Sequence, residues 1–180
     1  MGKSTLLVNE ALIELLNQQI QNETKAAAQY MAIAVYFESE SLPALGSFFF
    51  TQAAEEREHA MKFIRYLLDA GSKPEVRGLG DLRNDFTNAA DAVSCALDGE
   101  LEVTRQINNL VGESAKHNDH MTHTFLQWFV TEQMEEEAAA RAVLGRIRLA
   151  GNTGVGLLMI DQELATGSVP GMPAEPAAGQ

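Results

Sequence analysis

Basic residues and cysteine are scarce in this 180-residue sequence, and each shortage excludes a class of function. The 13 Lys and Arg residues against 25 Asp and Glu residues give a formal net charge of -12, so no basic surface is available to follow the phosphates of a nucleic acid. The single cysteine, Cys95, cannot form an intramolecular disulfide framework or a cysteine-based zinc or rubredoxin-type site. This composition fits a reducing, intracellular setting best.

Long apolar runs are also missing. No stretch of 18 apolar residues occurs, and the N-terminal residues lack an uninterrupted apolar segment of signal-peptide length that ends in a small-residue cleavage site. We therefore expect a cytoplasmic protein with neither a membrane nor a nucleic acid as its partner.

Glycine and proline are nearly absent from four long stretches, and these stretches carry apolar residues at helical spacing. They predict helices over about 5–38, 43–70, 89–116 and 120–150. Ser41 and Asn88 are the candidate N-caps of the second and third. A weaker segment at 155–164 predicts a short fifth helix. Residues 167–180 are rich in Gly, Pro and Ala and predict a mobile tail after a single domain of residues 1–166.

The connections between these stretches define the fold. The first and third are short, so the helices they join should be antiparallel neighbours. The middle connection is long and contains three Gly and one Pro. Four similar helices with one long crossover predict an all-α, ferritin-like four-helix bundle with a short fifth helix at its C-terminal end.

Acidic residues lie inside the apolar stripes of these helices, where an unpaired charge is costly. On the second helix Glu56 and His59 are i,i+3 neighbours among Phe49, Ala53 and Phe63. The other three helices repeat the pattern with Glu23, Glu100, Glu132 and Glu136.

A misread helix face could explain any one of these acids, but not acids at similar heights on four helices. Carboxylates clustered in a low dielectric persist only if they are protonated or neutralised. Oxygen ligands with one imidazole suit iron or manganese. We therefore expect a buried di-metal site with Glu23 and His59 on one metal, Glu56 bridging, and Glu100 and Glu136 toward the other.

Over residues 10–165 the sequence resembles the bacterial non-haem ferritins. The matching stretches are "LNQQIQNETKAAAQYMAIAVYFE", "AAEEREHA", "ALDGE" and "FLQWFVTEQMEEEAA". The resemblance implies a first iron site of Glu23, Glu56 and His59, a second of Glu56, Glu100 and Glu136 with Gln133 close by, and a third of Glu55, Glu132, Glu135 and Glu136. It also implies that Tyr30 can supply an electron during oxidation.

Two positions depart from the haem-binding bacterioferritins. Those proteins carry a second ExxH on the fourth helix and a Met after the second-helix ligand, whereas this sequence has Ala139 and Arg57 there. We therefore expect no haem. Rubrerythrins carry an additional four-cysteine domain, which a single cysteine cannot form, and the DNA-protecting mini-ferritins lack the long fifth segment found here.

The sequence thus predicts a ferroxidase that oxidises Fe(II) with O₂ or H₂O₂ and stores ferric mineral in a hollow cage, by resemblance a homo-oligomer of 24 subunits. The alternatives are a haem-binding bacterioferritin, a di-iron oxidoreductase acting on an organic substrate, and a non-catalytic helical scaffold. Where animal ferritins place pore acids, this sequence has His120, His123 and Leu126 beside Asp119, so no pore residues follow from the resemblance.

Overall fold

The computed structural model describes residues 6–151 and 154–166. This part of the chain contains five α helices and no strand. They are α1 (Glu10–Ser39), α2 (Pro43–Asp69), α3 (Ala89–Lys116), α4 (His120–Leu149) and α5 (Gly154–Ala165). The predicted all-α bundle with one long crossover and a short fifth helix is confirmed. The predicted tail, 167–180, lies outside the described residues.

Two helix starts follow ordinary capping chemistry. The Asn88 Oδ1 accepts the Asp91 N–H at 3.0 Å, as predicted for the start of α3. α1 begins at Glu10, later than predicted, because the Asn9 side chain accepts the Ala11 N–H at 2.9 Å and so caps the helix there.

The prediction that Ser41 caps α2 is wrong. Ser41 has a φ of 61° and belongs to the turn that closes α1, where its N–H donates to the Glu38 carbonyl at 3.1 Å. The N-cap residue is Leu42, whose side chain cannot accept a hydrogen bond. Instead, Asp161 of α5 accepts the buried Leu45 N–H at 2.8 Å. The fifth helix therefore supplies the cap that the local sequence lacks.

α1 packs against both α2 and α3, α3 packs against α4, and α5 contacts α2 and α4. The crossover between α2 and α3 is irregular, and amides of α1 hold it. Gln29 donates to the Arg83 carbonyl at 2.7 Å and accepts the Arg83 N–H at 2.9 Å. Asn17 accepts the Glu75 N–H at 2.8 Å. These bonds satisfy backbone groups that have no ladder partner.

Two apolar clusters fill the bundle. One includes Phe37, Phe49 and Val143, and the other includes Phe63 and Phe129. Along each of the four long helices, the buried acid falls between residues of the first cluster and residues of the second. The bundle therefore has a polar layer between two apolar cores.

None of the helices in the described chain is both long enough and apolar enough to cross a bilayer.

Candidate metal centre

The polar layer consists of one buried carboxylate from each long helix and one imidazole. Glu23, Glu56, Glu100 and Glu136 are 1%, 2%, 1% and 6% exposed, and His59 is 3% exposed. The helical repeat places each acid on the stripe that faces the bundle axis, and the apolar residues one and two turns away on that stripe bury it. The predicted inward direction is confirmed for these four acids, whereas Glu132, which the apolar spacing also placed inward, is only partly buried.

Glu23, Glu56 and His59 form the first group of possible ligands. One side-chain donor atom from each residue lies within 4.8 Å of the other two. The His59 Nδ1 is 3.5 Å from the Glu56 Oε2. These two atoms and the Glu23 Oε2 are buried and have no hydrogen-bond partner among the described residues. Because unpaired buried polar atoms are costly, this donor set fits a cation bound between them.

His59, Glu132 and Glu136 form a second group within the same span. The His59 Nε2 is 3.8 Å from the Glu132 Oε1. Because the Glu132 side chain is 28% exposed while His59 is buried, the group connects the buried layer with the surface.

Glu100 belongs to neither group, and two neighbours hold its oxygens. The Tyr30 hydroxyl donates to Oε1. The Gln133 amide donates to Oε2 at 3.0 Å and to the Glu100 carbonyl at 3.3 Å. Gln133, expected near the second metal, thus presents its nitrogen to a carboxylate. In this arrangement Gln133 orients Glu100.

The other two acids of the expected third iron site lie nearer the surface. Glu55 is half-buried and accepts a hydrogen bond from Gln52, whereas Glu135 is exposed. Neither belongs to the two groups described above. Glu55 lines a pocket of about 260 Å³ together with Glu58, His59 and Glu132, so the pocket joins the second group to solvent through an acidic wall.

Burial and mutual repulsion favour the protonated carboxyls. Desolvation, followed by the charge of Glu56, raises the pKa of Glu23 well above its ordinary value. Desolvation and then the charge of Glu100 do the same to the pKa of Glu56. Burial raises the pKa of Glu136 to about 8. Without a cation the layer therefore holds protons near neutral pH, and a cation would displace them.

Two residues beside the polar layer were not predicted from the sequence. Gln19, 1% exposed on α1, donates to the Glu23 Oε1 at 2.8 Å. Lys62 stands over the Trp128 ring, 4.1 Å from its centroid, beside the acidic pocket. The sequence could have indicated Gln19, because it lies one helical turn before Glu23, a predicted inward-facing acid. The second depends on a contact between α2 and α4 that spacing does not reveal.

The chain matches the family model Ferritin, described as a ferritin-like domain, over residues 13–150. The chain belongs to the ferritin family. It is 40% identical over 151 residues to "Bacterioferritin BfrB" of Mycobacterium tuberculosis, with 84% of this chain and 82% of that protein covered. It is 36% identical over 156 residues to a bacterial non-heme ferritin of Campylobacter jejuni, with 87% and 93% covered.

The fold agrees with solved ferritins. An open-pore ferritin from Archaeoglobus fulgidus superimposes with a TM-score of 0.86 at 32% identity, and the match covers 89% of this chain and 98% of that one. The chain is thus an iron-storage protein of the ferritin family, with a carboxylate and imidazole cluster at the place where its four long helices meet.

Proposed function

We propose that this ferritin oxidises Fe(II) at the polar layer and stores the product as ferric mineral inside a cage of its own subunits. One observation carries the proposal: Glu23, Glu56 and His59 are close enough to hold one cation, and each has a buried side-chain atom without a hydrogen-bond partner in the described chain. A scaffold protein has no use for such a cluster, since replacing buried charges with apolar residues is often neutral or stabilising.

Glu23 and His59 bind the first Fe(II), and Glu56 bridges to the second, which Glu100 and Glu136 bind. Their raised pKa values mean that the carboxyls lose protons as the cations arrive. Each Fe(II) gives up one electron. The two electrons and two protons convert one O₂ to H₂O₂, or one H₂O₂ to two waters. The protein contributes geometry, charge neutralisation and the exclusion of bulk water.

Tyr30 can replace one of the two irons as an electron source, so that one Fe(II) and the Tyr30 ring together supply the two electrons that the oxidant takes up. The Tyr30 hydroxyl donates to Glu100, so loss of an electron from the ring can be accompanied by transfer of the phenolic proton to that carboxylate. Desolvation, followed by the charge of Glu100, raises the pKa of Tyr30, which keeps the ring neutral until that step.

Ferric iron then moves toward the surface through the second group. His59 and Glu136 are buried, whereas Glu132 is partly exposed and lines the acidic pocket with Glu55. Together with the exposed Glu135, these carboxylates form the third iron site, and Glu58 lies on the exit path. The falling burial along this series gives iron progressively better access to water and to a growing mineral.

The storage part of the proposal requires assembly, by family resemblance into 24 subunits in the cytoplasm. α5 leaves three large apolar side chains exposed on the single chain, Val155, Leu158 and Met159, and contact with other copies would cover them. We propose that no haem is bound, on the strength of Ala139 and Arg57. The name of the M. tuberculosis relative keeps a haem-binding bacterioferritin as the alternative.

Aerobic titration of metal-free protein with Fe(II) tests the proposal. Near-ultraviolet absorbance should rise rapidly up to two Fe(II) per chain and more slowly thereafter. Size-exclusion chromatography should give an assembly many times larger than the 19.6 kDa chain. Oxidation no faster than in protein-free buffer would overturn the ferroxidase assignment, and a monomer would overturn storage in a cage. A haem absorption band in purified protein would favour the alternative.

A further inference from the structure

Gln19 lies one helical turn before Glu23 on the buried face of α1. It is 1% exposed, and its Nε2 donates to the Glu23 Oε1 at 2.8 Å. Asn17, on the same helix, carries a buried amide that secures the crossover. Gln19 instead directs its donor at a carboxylate of the metal centre.

Neighbouring amides fix the direction of the Gln19 side chain. The Gln19 Oε1 accepts the Asn22 Nδ2 at 3.3 Å, and the Asn22 Oδ1 accepts the Gln18 Nε2 at 3.1 Å. The three amides therefore form a chain of hydrogen bonds that all donate in the same direction, from the exposed Gln18 inward to Glu23. If the Gln19 amide were rotated by half a turn, its oxygen would face the Glu23 carboxylate and its NH₂ group would face the Asn22 NH₂ group. Aligned amides of this kind also polarise one another and strengthen the last bond.

This bond makes the two oxygens of Glu23 unequal. Oε1 is engaged by the Gln19 amide, while Oε2 is buried without a hydrogen-bond partner within residues 6–151 and 154–166. A cation placed symmetrically between both oxygens would come close to the positive end of the Gln19 N–H. A cation on Oε2 alone avoids that repulsion and keeps the bond.

We propose that Gln19 is a positioning residue that makes Glu23 a one-oxygen ligand of the first iron. The inference rests on the proposed function. One oxygen fewer from Glu23 leaves a coordination position on that iron open for the oxidant. Partners that orient a metal ligand in this way typically change metal affinity by about 10- to 100-fold when they are removed.

The test compares Gln19→Leu with wild-type protein in anaerobic titrations with Co(II), whose visible bands weaken as its coordination number rises. Leucine keeps comparable bulk and removes the donor. Glu23→Ala identifies the band that depends on Glu23. Gln127→Leu makes the same change on the exposed face of α4 and serves as the matched control.

In Gln19→Leu, the Glu23-dependent band should lose intensity as both oxygens bind, and Co(II) affinity should fall by about tenfold. Gln127→Leu should match wild type. Asn22→Ala leaves Gln19 in place but frees its amide to turn, so it should shift the band in the same direction by a smaller amount. If circular dichroism shows that Gln19→Leu does not fold, Asn22→Ala is compared with the wild type in its place.

An unchanged band and affinity in a folded Gln19→Leu protein would overturn the inference while leaving the ferroxidase proposal intact. If Gln19→Leu does not fold, wild-type values in Asn22→Ala overturn it in the same way. If the Co(II) spectrum of Glu23→Ala is the same as that of the wild type, the result instead contradicts the metal centre itself, and the inference with it.

Discussion

Replacement of Glu136 by Gln should stabilise the metal-free protein, by an amount that depends on pH. The Glu136 pKa is about 8 in the fold against an ordinary 4.5, because of burial first and then the charges of Glu100, Glu55 and Glu132. Since the folded pKa is the higher one, folding takes up a proton. The contribution of Glu136 to the stability of the wild type is therefore greatest below pH 4.5, falls as pH rises toward 8, and then levels off.

At pH 7 the folded state must keep Glu136 protonated, or tolerate its charge, about 2.5 pH units above its unfolded pKa. One unit corresponds to about 1.4 kcal/mol, so the penalty approaches about 3 kcal/mol. Glutamine has the shape of the protonated acid and carries no such penalty. For a chain of this length, 3 kcal/mol raises the melting temperature by roughly 6 to 12 °C.

The assay is thermal melting of chelator-treated protein from pH 4.5 to 9, at one protomer concentration and one scan rate because assembly and irreversibility affect the midpoint. Glu135→Gln, at the exposed neighbouring position, is the matched control and should stay within about 0.5 kcal/mol of wild type. A Glu136→Gln protein that melts below wild type at pH 8, or at a pH-independent offset, would refute the reasoning.

Two further predictions concern a bridging ligand and a helix cap. Glu56→Ala should slow Fe(II) oxidation, measured by stopped-flow absorbance, far more than Glu58→Ala does. Glu56 is shared by both proposed irons, whereas Glu58 is exposed. Equal oxidation rates in the two variants would remove the bridging role of Glu56. Asp161→Ala should lower the free energy of unfolding by about 1 kcal/mol, because it leaves the buried Leu45 N–H unpaired. The control Asp81→Ala, in the exposed crossover, should change it little. Similar melting midpoints for the two variants would show that the cap is dispensable.

Periodicity was enough to predict the polar layer. Apolar residues at three- and four-residue spacing fix which side of a helix is buried, so the inward direction of Glu23 and Glu136 followed from their neighbours. The Gly and Pro content of the crossover likewise separated the second and third helices. The sequence therefore predicted the fold and the height of the candidate site.

Hydrogen-bond partners were beyond the reach of spacing. The Tyr30 bond to Glu100 joins residues 70 positions apart, and Asp161 caps α2 across 116 positions. Both depend on how the helices pack and on which rotamers remain free, and neither is encoded in the period of one helix. For the same reason the resemblance that placed Gln133 close to the second iron did not indicate its hydrogen bond to Glu100.

The central claim is that the polar layer binds two metal ions between the four long helices. Anomalous diffraction from crystals grown with Zn(II), which is redox-inert, locates such ions directly. The account predicts two strong peaks in each subunit, one among Glu23, Glu56 and His59 and one beside Glu56 and Glu136. Peaks found only at exposed acids such as Glu58 and Glu135, with the buried layer empty, would contradict it.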